Sequence, residues 1–246
     1  MASTPKPSLS TRKYIQWGTT FPTENTSTKV LTSPAPHRSF VDVRLLLVPL
    51  SREPPPLRDL ARHVDWAFAG SALHRDGDDR QGRPPHDVFR HWVDSRHPDA
   101  AAVVDEGDFF PGPGPAESLE RGVMVNPASG RPEPYEECWI DGLAGAAASH
   151  AGWVLRWEDG EADAAAAGKG MMVRVGAVVQ GVLRAGDEVG VGRWELGGEG
   201  EGAGERKAVA EVGRVQRFYM GDWDGLTTGQ EVRAEDGQKW VCVESW

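Results

Sequence analysis

Almost nothing in the sequence names a reaction. There are only two cysteines, Cys138 and Cys242, and they lie far apart in the chain. Neither has the charged neighbours that lower a thiol pKa. Both sit inside apparent strands, where a cytosolic chain would keep them reduced and buried, so a structural role outweighs catalysis. No Gly-x-Ser-x-Gly nucleophile elbow, no Gly-x-x-x-x-Gly-Lys phosphate loop and no His-Glu-x-x-His metal motif occurs. The glycines between 186 and 204 do not form a Gly-x-Gly-x-x-Gly run between a strand and a helix, which leaves a dinucleotide fingerprint unsupported.

Long apolar runs and basic charge are also scarce. No segment approaches the roughly 18 apolar residues of a membrane helix. The longest candidate, Leu45 to Leu50, is short and contains Pro49. The polar start, MASTPKPSLSTRKY, lacks the apolar centre of a secretory signal. Asn25-Thr26-Ser27 matches a glycosylation sequon and, without export, reads as a loop. Against 37 acids stand 27 scattered bases, a net charge of -10. That balance argues against a nucleic-acid partner, which requires a basic face.

What the chain has in plenty is glycine (30), proline (18) and tryptophan (10) in 246 residues. With 39% hydrophobic residues and a mean hydropathy of -0.47, it reads as a soluble protein with long Gly/Pro-rich loops. The plan is clearest between Ser39 and Ser95, where SFVDVRLLLV, VDWAFAG and VFRHWVDS are bounded by Pro, Gly and charge. Period-two alternation puts Val41, Val43 and Leu45 on one face, with Phe40, Asp42 and Arg44 on the other. Val64, Trp66, Phe68 and Gly70 likewise share a face, and Phe89, His91 and Val93 oppose Arg90, Trp92 and Asp94. Large aromatics on three successive strands, with small Ala67, Ala69 and Gly70 among them, suit the interior and tight bends of a barrel.

The remaining strands follow the same grammar. Residues 1 to about 12 read as a tail, followed by strands at KYIQWG and TKVLTS, and Pro34-Ala35-Pro36 turns the chain into Ser39. Leu57, Leu60, Ala61 and Val64 fall at helical spacing behind Pro56 and predict a turn or two of helix over a barrel mouth. Ala101 to Phe110 and Ser118 to Asn126 continue the strands. A domain boundary is expected within Pro127 to Pro134, giving units of 1–130 and 131–246. The second unit offers YEECWID, GWVLRWE, GMMVRVGAVVQGVLR (split or bulged at Gly176), EVGVGRWEL, Arg206 to Tyr219 and KWVCVES. About six strands per half predict an all-β chain of two antiparallel barrels in series. HWVDS at 91–95 echoes CWIDG at 138–142.

Candidate chemistry is thin. Among seven histidines, His86 and His91 are five apart, on opposite strand faces and away from any cysteine pair, so no metal site is expected. Asp105, Glu106, Asp108, Glu136 and Glu137 would do acid/base work only if buried, and charge at strand ends is usually solvated. Asp42 and Arg44 share a strand face. They form an ion pair within a barrel or lie outside it, and only an inward Arg44 would orient a carboxylate ligand among Trp rings. Arg44, Trp66, Phe68, His91 and Trp92 are the candidate ligand-binding residues. The tryptophans either fill a core or wall a cavity oriented by Arg44, Gln16 or His91.

The ordered set TSTKVLTS, FVDVRLL, VDWAFAG, FRHWVDS, VVDEGDFFP, MVNPASG, YEECWID, VVQGVLRAGDEV and RWE resembles the fungal Hri family over nearly the whole chain. That family is named for the interaction of its yeast member with a casein kinase I homologue. The resemblance implies two consecutive lipocalin-like (calycin-type) β-barrels, residence in cytoplasm and nucleus, and no established activity, cofactor or catalytic residue. The expectation is a non-catalytic protein that binds a casein kinase I type kinase or a small apolar ligand. The competing expectation is a cofactor-free cyclase or isomerase that folds a polyene or polyketide in an open barrel. An enzyme would need a cavity of roughly 300 Å³, and a scaffold a filled barrel with an apolar patch outside.

Overall fold

The computed structural model describes residues 6–47, 63–142, 151–159, 168–197 and 205–246. The helical turns expected from Leu57 onward fall, up to residue 62, outside the described residues. So do most of the Gly/Glu/Ala-rich spacers around 160–167 and 198–204.

Eight antiparallel strands close into a barrel in simple chain order. They are β1 (Ser8–Trp17), β2 (Thr26–Thr32), β3 (Ser39–Leu46), β4 (Val64–Arg75), β5 (His86–Asp94), β6 (Glu106–Pro111), β7 (Glu117–Asn126) and β8 (Arg131–Gly142). β8 pairs with β7 on one side and with β1 on the other, placing Leu9 opposite Gly142 and Trp17 opposite Tyr135. The boundary expected at residue 130 therefore falls in the turn of the β7–β8 hairpin, and YEECWID is the closing stave of the barrel. β1 begins at Ser8, inside the stretch read as a tail. The strand expected over Ala101 to Phe110 is shorter, because Ala100–Ala102 form a 3-10 turn and the ladder starts at Glu106.

A bulge decides which β5 side chains point inward. Phe68 pairs with Asp94 and Ala69 with Val93, but Gly70 pairs with His91, so Trp92 is the extra residue. A Cβ on Gly70 would lie 1.8 Å from the Arg90 carbonyl oxygen, so only glycine allows this approach. The skipped residue puts His91 and Asp94, three apart, on the same inner face, where strict alternation had opposed them.

The second sheet is open. Its strands are β9 (Gly152–Glu158), β10 (Gly168–Val175), β11 (Val178–Ala185), β12 (Glu188–Leu196), β13 (Arg206–Gly213), β14 (Glu231–Arg233) and β15 (Lys239–Ser245). They run in the order β13-β12-β11-β10-β9-β15-β14 without closing. This corrects the expectation of a second barrel. The reason is that both faces of the sheet are spoken for. One face, with Val154, Met171, Val173, Val182 and Val191, packs on the outer face of the barrel at Leu31, Val41, Val43, Ala67 and Val93. The other carries Trp153, Trp157, Trp194 and Trp240, covered by Phe218, Trp223 and Leu226 of the segment that follows β13. That segment lies across the aromatic face instead of extending the ladder. Gly176, at φ 58°, makes the turn that splits β10 from β11, as the sequence suggested.

Candidate functional site

The barrel interior holds a charged network. β3 is buried along almost its whole length because its outer residues meet the second sheet, and its inner residues are Phe40, Asp42 and Arg44. Arg44 Nε and Nη2 donate to Asp42 Oδ2 at 3.0 and 2.9 Å. Arg44 Nη1 reaches Glu137 Oε1 of β8 at 3.5 Å. Arg12 of β1 donates to that same oxygen at 2.5 Å and to Glu24 Oε2 at 2.7 Å. The expected Asp42–Arg44 pair is thus one link in a chain running Glu24, Arg12, Glu137, Arg44, Asp42. Burial opposes the charge on Arg44, but Asp42 and Glu137 hold its pKa above the ordinary value. Burial raises the Asp42 carboxyl by more than Arg44 lowers it.

A second cluster sits beside it. The His91 ring stacks on Phe68, with centroids 4.1 Å apart and planes 12° apart, and Trp66 lies 4.5 Å from Phe68. The Arg44 guanidinium stands 5.1 Å from the Trp66 ring and 5.4 Å from Phe68. His91 Nδ1 is 2.8 Å from Asp94 Oδ2, and its Nε2 is 3.1 Å from Asp105 Oδ2. Trp66 Nε1 donates to Asp94 Oδ1 at 2.9 Å. Burial works against a charged imidazole, but the carboxylates at both nitrogens raise the His91 pKa above 6.5. Burial likewise opposes the Asp94 charge, and the bonds from His91 and Trp66 bring its pKa below 3.8.

Across the chamber Glu120 of β7 accepts from Tyr135 Oη at 2.7 Å and from Trp139 Nε1 at 3.0 Å. Burial, with Glu137 and Asp105 close by, pushes its carboxyl well above 4.5, toward the neutral acid. What remains open between these groups is a cavity of about 30 Å³, bordered by Phe40, Asp42, Arg44, Phe68, Glu120 and Glu137. That is room for about one water molecule. It is a tenth of the roughly 300 Å³ that a drug-sized ligand or a folded polyene requires.

Four of the five candidate residues, Arg44, Trp66, Phe68 and His91, are therefore brought together inside the barrel. Trp92 is not. The bulge turns it outward to the second sheet, where the Arg156 guanidinium lies 4.3 Å from its ring and Lys169 Nζ 5.7 Å. There it borders an open groove of about 370 Å³ with Asp94, Pro98, Ala100, Lys169 and Arg184. Gln16, the other orienting candidate, is in β1 and does not border the chamber. No group of three or more His, Cys, Asp or Glu among the described residues is placed to hold a metal ion. No helix among the described residues is long and apolar enough to cross a membrane.

The family model described as Protein HRI1 matches residues 8–244, from the first residue of β1 to the next-to-last of β15. The chain belongs to the HRI1 family. A crystal structure of the uncharacterised protein YLR301w from Saccharomyces cerevisiae is similar to it over 98% of this chain and 99% of that one, with a TM-score of 0.72 and 19% identity. At that identity the likeness speaks for the fold alone. A search of the curated proteins finds no match. In this HRI1-family barrel, sequence reasoning passed over Arg12, placed in a tail, and Glu120. Of the acids that needed burial for acid/base work, Glu137 is buried and borders the chamber together with Asp105, and Tyr135 and Trp139 lie on the same inner face of β8. A usable signal was the β8 alternation, which puts Tyr135, Glu137 and Trp139 on one side.

Proposed function

We propose that this HRI1-family chain is a non-catalytic binding protein that engages a protein partner through its outer surface, with a casein kinase I type kinase as the candidate partner, in the cytoplasm and nucleus. The observation that carries this reading is the filled barrel. Ion pairs, stacked rings and hydrogen-bonded carboxyls occupy the interior and leave about 30 Å³. The up-and-down order of the eight staves is that of lipocalins, which supports calycin-type kinship for this barrel. Its interior, charged rather than greasy, suits neither a small apolar ligand nor the cyclisation of a polyene.

Apolar surface lies outside instead. On the β7–β8 hairpin Val123 stands opposite Pro134 and Val125 opposite Pro132, and all four are exposed. Directly paired residues share a face, so the four form one outward patch, as on a protein-docking surface. The test is binding of purified casein kinase I to the intact chain and to the V123E/V125E double variant. The intact chain is expected to retain the kinase, and the folded double variant to bind about tenfold more weakly. No binding by the intact chain removes the kinase from this reading.

A further inference from the structure

The seam between the barrel and the second sheet gathers positive charge in a chain whose net charge is -10. On the face of the second sheet that meets the barrel, Arg156 of β9, Lys169 of β10 and Arg184 of β11 hold adjoining places. Lys169 stands directly opposite Arg184, and Arg156 stands opposite Met171, the next residue after Lys169 on that face. Trp92 faces them from the barrel, turned outward by the β5 bulge, with the Arg156 guanidinium 4.3 Å and Lys169 Nζ 5.7 Å from its ring centre. Trp92, Lys169 and Arg184 border the open groove of about 370 Å³, with Pro98, Asp99 and Ala100 along it. That volume is in the range of small-molecule sites.

The cations there are poorly neutralised from within. Arg184 donates to the carbonyls of Asp94, Ser95 and Gly186 at 2.8, 2.7 and 3.1 Å, which fixes it in the seam and leaves two of its five N–H groups unused. Neither guanidinium forms an ion pair among the described residues. Lys169 meets Glu158 at 3.5 Å, with both side chains well exposed, a pairing that is weak and readily exchanged. The Asp94 carboxylate is bound to His91 and Trp66 inside the barrel, so the carboxylate on the groove wall is that of Asp99.

We propose that this groove binds a small phosphate monoester as its dianion, with the phosphoryl group held against Lys169 and Arg184 and its organic part lying along Pro98 and Ala100. Once the ligand takes the place of Glu158 at Lys169, three cations stand against Asp99 alone. That surplus matches a monoester, which carries close to two negative charges at neutral pH, better than it matches a monocarboxylate. Lysine serves phosphate as a point charge and arginine as a directed donor, and the groove offers both. The acidity of the rest of the chain repels a long polyanion, which limits the ligand to one phosphoryl group. This site is independent of the partner-docking reading and of the β7–β8 patch.

The test follows the Trp92 indole ¹H–¹⁵N signal of the full chain, assigned with W92F, at neutral pH and constant ionic strength. Glycerol 3-phosphate is expected to shift it saturably with a Kd of about 1 mM or tighter, inorganic phosphate several-fold more weakly, and acetate not at all. K169Q should weaken glycerol 3-phosphate by about tenfold. D99N should tighten it about threefold by removing the carboxylate from the wall, and Asp99 makes no side-chain capping bond whose loss would disturb the fold. K13Q removes an equally exposed charge from β1, four staves away in the barrel order, and should leave the affinity unchanged. No saturable shift, an equal response to acetate, inorganic phosphate binding as tightly as the ester, or equal losses in K169Q and K13Q overturns the proposal.

Discussion

Gln180 and Arg193 face each other across β11 and β12, and Arg193 Nε donates to Gln180 Oε1 at 2.7 Å on the side of the sheet that meets the barrel. Together they dock one layer on the other through backbone. Gln180 Nε2 donates to the carbonyls of Lys29 and Val41 at 3.0 Å each. Arg193 Nη2 donates to those of Ser27 and Val43 at 3.0 and 2.7 Å. Burial lowers the Arg193 pKa to about 10, which still leaves it charged at neutral pH.

Arg193→Met is therefore expected to destabilise the chain by about 3 kcal/mol, because Gln180 and two carbonyls lose buried donors at once. Urea unfolding checks this as a lower midpoint at unchanged slope. A shift of a few tenths of a kcal/mol would show that the apolar contact alone holds the layers together.

His91 should make stability depend on pH from the alkaline side. Its pKa is raised in the folded chain, so its contribution is complete below about 6.5 and is lost as pH rises through the higher folded value. Asp94 acts from the acid side. Its contribution is present above 3.8 and is lost as pH falls through its lowered folded value. Imidazole ¹⁵N shifts should show His91 still protonated above pH 6.5, and the stability gap between wild type and His91→Phe should narrow as pH rises. A titration at or below 6.5 contradicts the paired-carboxylate arrangement.

Glu120→Gln should flatten a second pH dependence. A carboxyl whose folded pKa is raised favours folding most when protonated, so the wild type loses stability as pH climbs from 4.5 toward the folded value. Glutamine copies the neutral acid, accepting from Trp139 while donating to Tyr135 Oη, which lies 3.4 Å from the Glu106 carbonyl. At neutral pH the variant is expected to be at least as stable as wild type. A loss of more than about 2 kcal/mol would mean that Glu120 is ionised and needed as such.

Gly70→Ala should cost about 3 kcal/mol, the upper end of the range for strained or overpacked positions. The added methyl meets the Arg90 carbonyl oxygen, so the bulge must relax. With it goes the inward placement of Asp94. The Trp66 Nε1 bond to Asp94 should then be lost, which an indole ¹H shift reports independently of stability.

Much of the barrel was legible because alternation is a local property. The shared face of Phe40, Asp42 and Arg44 on β3 and that of Trp66 and Phe68 on β4 follow from spacing, though not which face is inward, and the break at Gly176 is one of the two readings that spacing offers. What was not legible depends on contacts far apart in sequence. The bulge at Trp92 reverses the inside and outside of β5 and arises from close approach of β4, which no pattern within FRHWVDS announces. The openness of the second sheet was hidden because tryptophan at Trp153, Trp157 and Trp194 fills a barrel or a covered sheet equally well. The segment carrying Phe218 and Trp223 decides between them. Arg12 escaped because the readable alternation begins only at Lys13, and the register shift between Arg12 and Tyr14 interrupts the pattern that would have extended β1 back to it.

The pairing of Leu9 with Gly142 has a consequence for how the molecule is made. The first and last staves are the two ends of a long loop in sequence, so no nascent chain can seal the cylinder until its final stave has left the ribosome. Until then β1 and β7 each offer a row of unsatisfied amides to any extended chain nearby. Synthesis, rather than the finished fold, is when this protein is most at risk of sticking to a neighbour.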